Sequence, residues 1–263
     1  VVERGGRLAV AAVRPGTGAA AVRGGGSFVT ASVVKVDLVA ALLLQRGGAG
    51  GGGAGGGGGG LTAGERELAE LAVVRSDNSA ASELYRLVGG APGLDAAYRA
   101  LGLVETTAGR DGYWGLTTTG VGDRVRLLRQ VFAADGALDG TGTTAGARAG
   151  TGALPGRRWL AGLMGRVVPE QAWGVSAAGA TRLKNGWLPR SATGLWVVGS
   201  FGALADGTLV AVLSDGWREM AQGVAAVESA ARWAVGAVGG EGVTGRTGRT
   251  GTVGRDGRAG GGS

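Results

Sequence analysis

The sequence predicts an α/β fold: an antiparallel sheet built from both chain ends, flanked by helices, around a mostly helical middle region. Three observations predict it. Two short apolar runs, RLAVAAV and AAAV, flank the turn residues Pro15-Gly16-Thr17-Gly18 near the start. Three more, in TRLKNGWLP, GLWVVGSFGAL and GTLVAVLSDG, lie near the end. Between the two groups the apolar residues recur at helical spacing. Strands at both ends of a chain cover their edges by pairing with one another, which gives one sheet assembled from distant segments.

Each element has its own warrant. The first two runs, joined by a Pro-Gly turn, read as a hairpin. From Ala31 the period changes: Val34, Leu38, Ala41 and Leu42 share a helical face, which places Ser32 and Lys35 in the first turn of a mostly buried helix. The stretch 47–60, GGAGGGGAGGGGGG, and the Gly/Arg/Thr-rich tail 239–263 offer little to bury and read as flexible chain. The expected organisation is therefore one domain over 1–238, with a glycine-rich insert at 47–60 and a disordered tail. Thr62 is placed to cap a helix that breaks at Ser76-Asp77-Asn78, and a second helix follows to Gly89-Gly90. Further helices are expected at about 94–101, from Thr119 to Phe132 and over RRWLAGLMGRVV. The three late strands form a meander, and a long helix, REMAQGVAAVESAARWAVG, closes the domain.

Composition narrows the chemistry. At 263 residues and 44% hydrophobic, the chain can bury a substantial core. It has no histidine and no cysteine, which excludes imidazole bases, thiol nucleophiles and His or Cys metal sites. Nucleophilic catalysis must then use a hydroxyl activated by an amine or a carboxylate. Of 27 basic residues only Lys35 and Lys184 are lysine. Arginine does not act as a base at ordinary pH, whereas a desolvated lysine does, so these two positions come first. The net charge of +7 is spread over scattered arginines without a basic stripe, so no nucleic-acid partner is expected. No stretch reaches the roughly 18 apolar residues of a membrane span, because Lys35 and Asp37 interrupt the one candidate. Without an initiating Met or a signal peptide, a chain beginning at Val1 is expected to be a processed form or a fragment.

Three short motifs remain: Ser32-Val33-Val34-Lys35 opening a helix, Ser76-Asp77-Asn78 between two helices, and Lys184-Asn185-Gly186 on a strand. Each has a structural reading. Ser32 suits a helix cap with Lys35 as a neighbour whose stem packs on the core, Ser-Asp-Asn are capping residues, and Asn-Gly suits a hairpin turn. In this order and context, however, the set resembles the class A β-lactamase and penicillin-binding protein superfamily, over about Arg7 to Val238.

The resemblance implies a serine hydrolase that forms an acyl-enzyme on a β-lactam, peptide-like amide or ester, with no metal or organic cofactor, as a monomer outside the cytoplasm. Residue by residue it implies Ser32 as nucleophile, Lys35 as its base or proton relay, and Ser76 as a proton carrier toward the leaving nitrogen. Asn78 would hold the acyl side chain or Lys35. Lys184 and Asn185 would meet a substrate carboxylate, Gly186 would admit the ligand to the strand edge, and the backbone N–H groups of Ser32 and Trp187 would form the oxyanion hole. Two near relations stay open: a D,D-peptidase or esterase with the same motifs, and a sensor that stays acylated. The sequence departs from the family twice. Asn185 stands where Thr or Ser is usual, and the Glu-x-x-Leu-Asn loop that supplies the deacylating carboxylate is missing, with Glu105 and Asp111 the nearest carboxylates. Of the seven tryptophans, Trp187 and Trp114 are the expected pocket walls, and the others are expected in the core.

Overall fold

The computed structural model describes residues 5–47, 60–132 and 153–240. The stretches 48–59 and 241–263, which hold nearly all of the expected insert and tail, lie outside the described residues, as does the glycine-rich stretch 133–152.

The hairpin forms as β1 (Arg7–Arg14) and β2 (Ala19–Arg23), and the late meander as β5 (Ala180–Pro189), β6 (Trp196–Leu204) and β7 (Leu209–Trp217). One antiparallel sheet joins them in the order β2-β1-β7-β6-β5. The first strand is thus zipped to the last, from Arg7 opposite Asp215 to Val13 opposite Leu209. The Arg7 guanidinium reinforces the seam through two bonds to the Asp215 carboxylate, both 2.7 Å. A two-stranded sheet pairs β3 (Phe28–Val29) with β4 (Thr118–Thr119).

Pleating sends alternate side chains to two cores. Ala9, Ala11 and Val13 of β1 and Leu209, Ala211 and Leu213 of β7 face the larger core, under the helices of the middle region. Val10, Ala12, Val210 and Val212 face the other way, beneath the closing helix α7 (Met220–Gly239). Covered on both faces, these strands read as continuous apolar runs.

The middle region holds α1 (Lys35–Gly47), α2 (Ala63–Val74), α3 (Asn78–Leu87), α4 (Gly90–Ala100), α5 (Val121–Phe132) and α6 (Arg157–Met164). The Thr62 hydroxyl accepts from the Glu65 N–H while the Glu65 carboxylate accepts from the Thr62 N–H, a reciprocal cap that starts α2 where the sequence places it. Several boundaries differ from expectation: α6 ends at Met164 rather than Val168, and the closing helix runs from Met220 to Gly239. α4 begins at Gly90 rather than near 94, because Pro92 is tolerated in a first turn, where no helical acceptor awaits its missing N–H. Thr118–Thr119 pairs as a strand, and α5 starts two residues later.

Every residue of α1 from Lys35 to Leu43 is buried. A helix apolar all round sits in the middle of a core, and this one carries charges there. Asp37 accepts from Arg124 of α5 at 2.6 Å and from the Tyr98 hydroxyl of α4 at 3.1 Å. The Asp37 and Arg124 side chains are both 0% exposed. Burial pushes the Asp37 carboxyl up, and Arg124 and Tyr98 oppose it. Arg124 also donates to the Thr119 hydroxyl at 3.0 Å, joining α1 to the short second sheet.

Replacing one member of such a pair leaves the other charge uncompensated. We expect Arg124→Met to cost about 3–5 kcal/mol in urea unfolding, and Arg124→Met with Asp37→Leu to recover a large part of that loss. A double variant no more stable than the single one would show that the two side chains are not energetically coupled.

Candidate active site

Ser32 lies in a 3-10 turn, Ala31–Val34, that feeds directly into α1. The turn is tied to the second sheet by the Thr30 N–H bond to the Thr117 carbonyl at 2.8 Å. Ala31, immediately before Ser32, has φ +46°, and Ser76 has φ +56°. Left-handed backbone at a residue with a Cβ costs on the order of 1–3 kcal/mol and is kept where the surroundings enforce it. Here two such residues border the same group of polar side chains.

Lys35 is 0% exposed. Its Nζ donates to the Ser76 carbonyl at 2.6 Å, the Ser76 hydroxyl at 3.1 Å and Asn78 Oδ1 at 2.8 Å. Its three protons are thereby occupied. No hydrogen bond joins Lys35 to the half-buried Ser32 hydroxyl among the described residues, although the two lie one turn apart. The left-handed bend at Ser76 aims both its carbonyl and its hydroxyl at the amine. Asp77, by contrast, is structural: its carboxylate accepts from the Ala80 N–H at 2.7 Å and caps α3. The capping reading of the second motif thus holds for its middle residue, while Ser76 and Asn78 face Lys35.

Lys184 reaches the same point from β5. Its Nζ donates to the Ser76 hydroxyl at 3.0 Å and to the Asn185 carbonyl at 2.9 Å. One hydroxyl oxygen therefore sits between two lysines. Gly186 explains how the strand comes so close: a Cβ there would lie 2.8 Å from the Ser32 nitrogen and 2.7 Å from the Thr30 carbonyl oxygen. Residues 184 and 186 share one face of the strand, so Asn185 points to the other. Both Asn185 amide protons are committed, to the Gln171 carbonyl at 2.6 Å and the Trp173 carbonyl at 2.8 Å. Asn185 thus holds the 169–173 segment, and the expectation that it donates to a substrate carboxylate is corrected. Trp187 packs on Trp173 with ring centroids 5.7 Å apart.

The two amines differ in environment. Burial brings Lys35 from 10.5 down to about 8, with Asp77 pulling the other way. Lys184 is pushed well below its ordinary value, first by burial and then by the charge of Lys35. Asp77 raises Lys35 against the effect of burial, whereas burial and the charge of Lys35 both lower Lys184.

Trp114 is the residue whose role sequence reasoning placed least well. Its ring centroid stands 5.1 Å from Lys35 Nζ, and its indole N–H donates to the Ser82 hydroxyl of α3 at 3.1 Å. Nothing in the local pattern of RDGYWGL announces a ring over a lysine 79 positions earlier. The 112–116 loop and residues 188–191, at and just past the end of β5, form an open cleft of about 380 Å³. Neither Glu105 nor Asp111 comes to the site. Glu105 lies against Gly120 at the start of α5, and Asp111 is exposed on the loop. Among the described residues Asp77 is the carboxylate whose charge is felt at Lys35, and no group of acidic residues there could hold a metal ion.

No protein-family model and no curated protein sequence matches the chain. Solved structures do. A β-lactamase from Xanthomonas campestris aligns over 90% of this chain and 93% of its own, at 22% identity and a TM-score of 0.63. The class A enzyme of Mycobacterium abscessus aligns over 90% and 95%, at 22% identity and a TM-score of 0.64. The protein has the class A β-lactamase fold. An ancestral class A β-lactamase agrees, covering 89% of this chain and 95% of its own at 20% identity and a TM-score of 0.64. In this β-lactamase fold the Ser32 turn, the Ser76 bend and the Lys184 strand, which are far apart in sequence, meet at the junction of sheet and helices.

The depressed amines have a consequence for stability. Both disfavour the charged form on folding, so between pH 8 and 10.5 the unfolded chain holds more protons than the folded one. Stability from this source rises with pH across that window. The tyrosines oppose it from about pH 10, because Tyr85 and Tyr98 are raised by burial. Relative to Lys35→Met, the native protein should gain on the order of 1–3 kcal/mol between pH 7 and 10 in denaturant unfolding. A constant difference across that range would mean that Lys35 is solvated like a surface lysine.

Proposed function

We propose that the protein is a serine hydrolase that forms an acyl-enzyme on a β-lactam, a peptide-like amide or an ester. The observation that carries this reading is the meeting of Lys35 and Lys184 at the Ser76 hydroxyl beside the Ser32 turn. Structural lysines are not usually buried in pairs on one hydroxyl, since each charge raises the cost of the other. A proton relay needs such a shared oxygen.

In the proposed reaction the Ser32 oxygen attacks the carbonyl carbon, and its proton passes to Lys35 once that amine is neutral, which a value near 8 makes accessible. The Ser32 and Trp187 N–H groups receive the developing oxyanion. Ser76 hands a proton to the leaving nitrogen and is resupplied from a lysine. A substrate carboxylate is drawn by the potential of Lys184. With Asn185 turned away, this cation acts without the usual hydroxyl beside it. Acylation that is quick relative to deacylation, the behaviour of a penicillin-binding protein or sensor, is the reading favoured within this class, because Asp77 is the described carboxylate felt at Lys35 and it is held as a helix cap. The same reading makes 1–238 a single catalytic domain, with the glycine-rich segments dispensable, and places it outside the cytoplasm. No described helix is long and apolar enough to cross a membrane.

A fluorescent penicillin should label the protein at Ser32, and Ser32→Ala should abolish the label; a modified peptide mapping elsewhere would overturn the reading. In Lys35→Arg, acylation should fall by about 10²-fold or more at every pH, since a guanidinium keeps its proton. Retention of most of the rate would remove Lys35 from the role of base.

A further inference from the structure

Acylation leaves an ester on Ser32, and what happens next depends on water. In hydrolysis a water oxygen bonds to the ester carbonyl carbon, one water proton goes to a base, and the bond from carbon to the Ser32 oxygen breaks. The Ser32 oxygen then takes up a proton, and the free acid leaves. The step needs a base with a water beside it. Among the described residues the candidate base next to Ser32 is Lys35, whose protons are directed to Ser76 and Asn78 on one side. The Trp114 ring lies 5.1 Å away.

That ring is fixed rather than loosely placed. Its N–H is anchored on Ser82 of α3, and the loop that carries it is clamped at its base by the reciprocal Thr107 and Thr118 backbone bonds of 2.9 and 3.0 Å. Trp114 is half-buried, with one part of the indole at Lys35 and the other lining the cleft between residues 112–116 and 188–191. An indole in this position fills space that water would otherwise occupy beside the amine.

We propose that Trp114 is the residue that sets the fate of the acyl-enzyme: it excludes water from Lys35, so that an acyl group on Ser32 is retained rather than hydrolysed. The inference rests on acylation at Ser32 as proposed above. It makes Trp114 a positioning residue that acts through Lys35, and it places the protein's specialisation in holding a covalent adduct.

The test follows the lifetime of the penicillin adduct by intact mass in the full-length protein and in Trp114→Ala, Trp114→Phe and Ser82→Ala. Trp114→Ala should shorten the lifetime about tenfold or more, and Trp114→Phe, which keeps a ring over the amine, should stay within about threefold of the native protein. Ser82→Ala frees the indole without altering the cleft and should fall between them, which keeps the test in force if Trp114→Ala does not fold. A general loosening of the loop would shorten the lifetime equally in the Phe and Ala variants, and that result would overturn the proposal. So would an unchanged lifetime in both Trp114→Ala and Ser82→Ala. Failure of the native protein to acquire any adduct on Ser32 would instead remove the acylation reading, and this inference with it.

Discussion

The structure is organised by one constraint: a helix buried on every side from Lys35 to Leu43 carries two opposite charges through the middle of the core. Over Lys35 to Leu43 α1 is sealed by apolar neighbours, so Lys35 and Asp37 must each find compensation inside the protein. They find it in different directions. Asp37 is matched by Arg124 and Tyr98, which draws α4 and α5 onto the helix. Lys35 is matched by uncharged oxygens, two from Ser76 and one from Asn78, which fixes the bend between α2 and α3. The difference matters chemically. A carboxylate facing a guanidinium is a closed pair, whereas a buried amine held by neutral acceptors remains able to release its proton.

The positions that were readable from sequence are those whose signals are local. The Thr62 cap, the hairpin about Pro15 to Gly18 and the buried helix after Ala31 each depend on a few adjacent residues. The three motifs could be placed because each is a short string in a recognisable context. What escaped depends on which face meets which neighbour. The ion pair of Asp37 and Arg124 spans 87 positions. Asn185 was expected to face a ligand, and its orientation follows from strand alternation once Lys184 is pinned to Ser76. Trp114 could be named as a wall, but its place over Lys35 is set by Ser82, a residue with no motif around it.

Likeness to β-lactamases at about 20% identity concerns the fold, and the departures lie where the chemistry would be tuned. The loop before α5 carries an indole toward the site where the family resemblance implies a carboxylate. The same scaffold thus brings a pair of lysines and a serine turn together, and the carboxylate felt at Lys35 among the described residues is Asp77, a helix cap.

The seam between β1 and β7 has a meaning for synthesis. A ribosome makes β1 long before β7, and until residues 209–217 emerge the first strand can pair only with β2, the edge strand of the finished sheet. Its other edge has no partner through nearly 200 residues of elongation. The central helix appears equally early and equally unsheltered. Topology of this kind gives slow, late closure and a long interval in which apolar surface depends on other proteins to keep it from aggregating. Lys184 and Gly186 also emerge late, so a nascent chain would carry Ser32 and Lys35 for most of its synthesis before the strand that completes their surroundings exists.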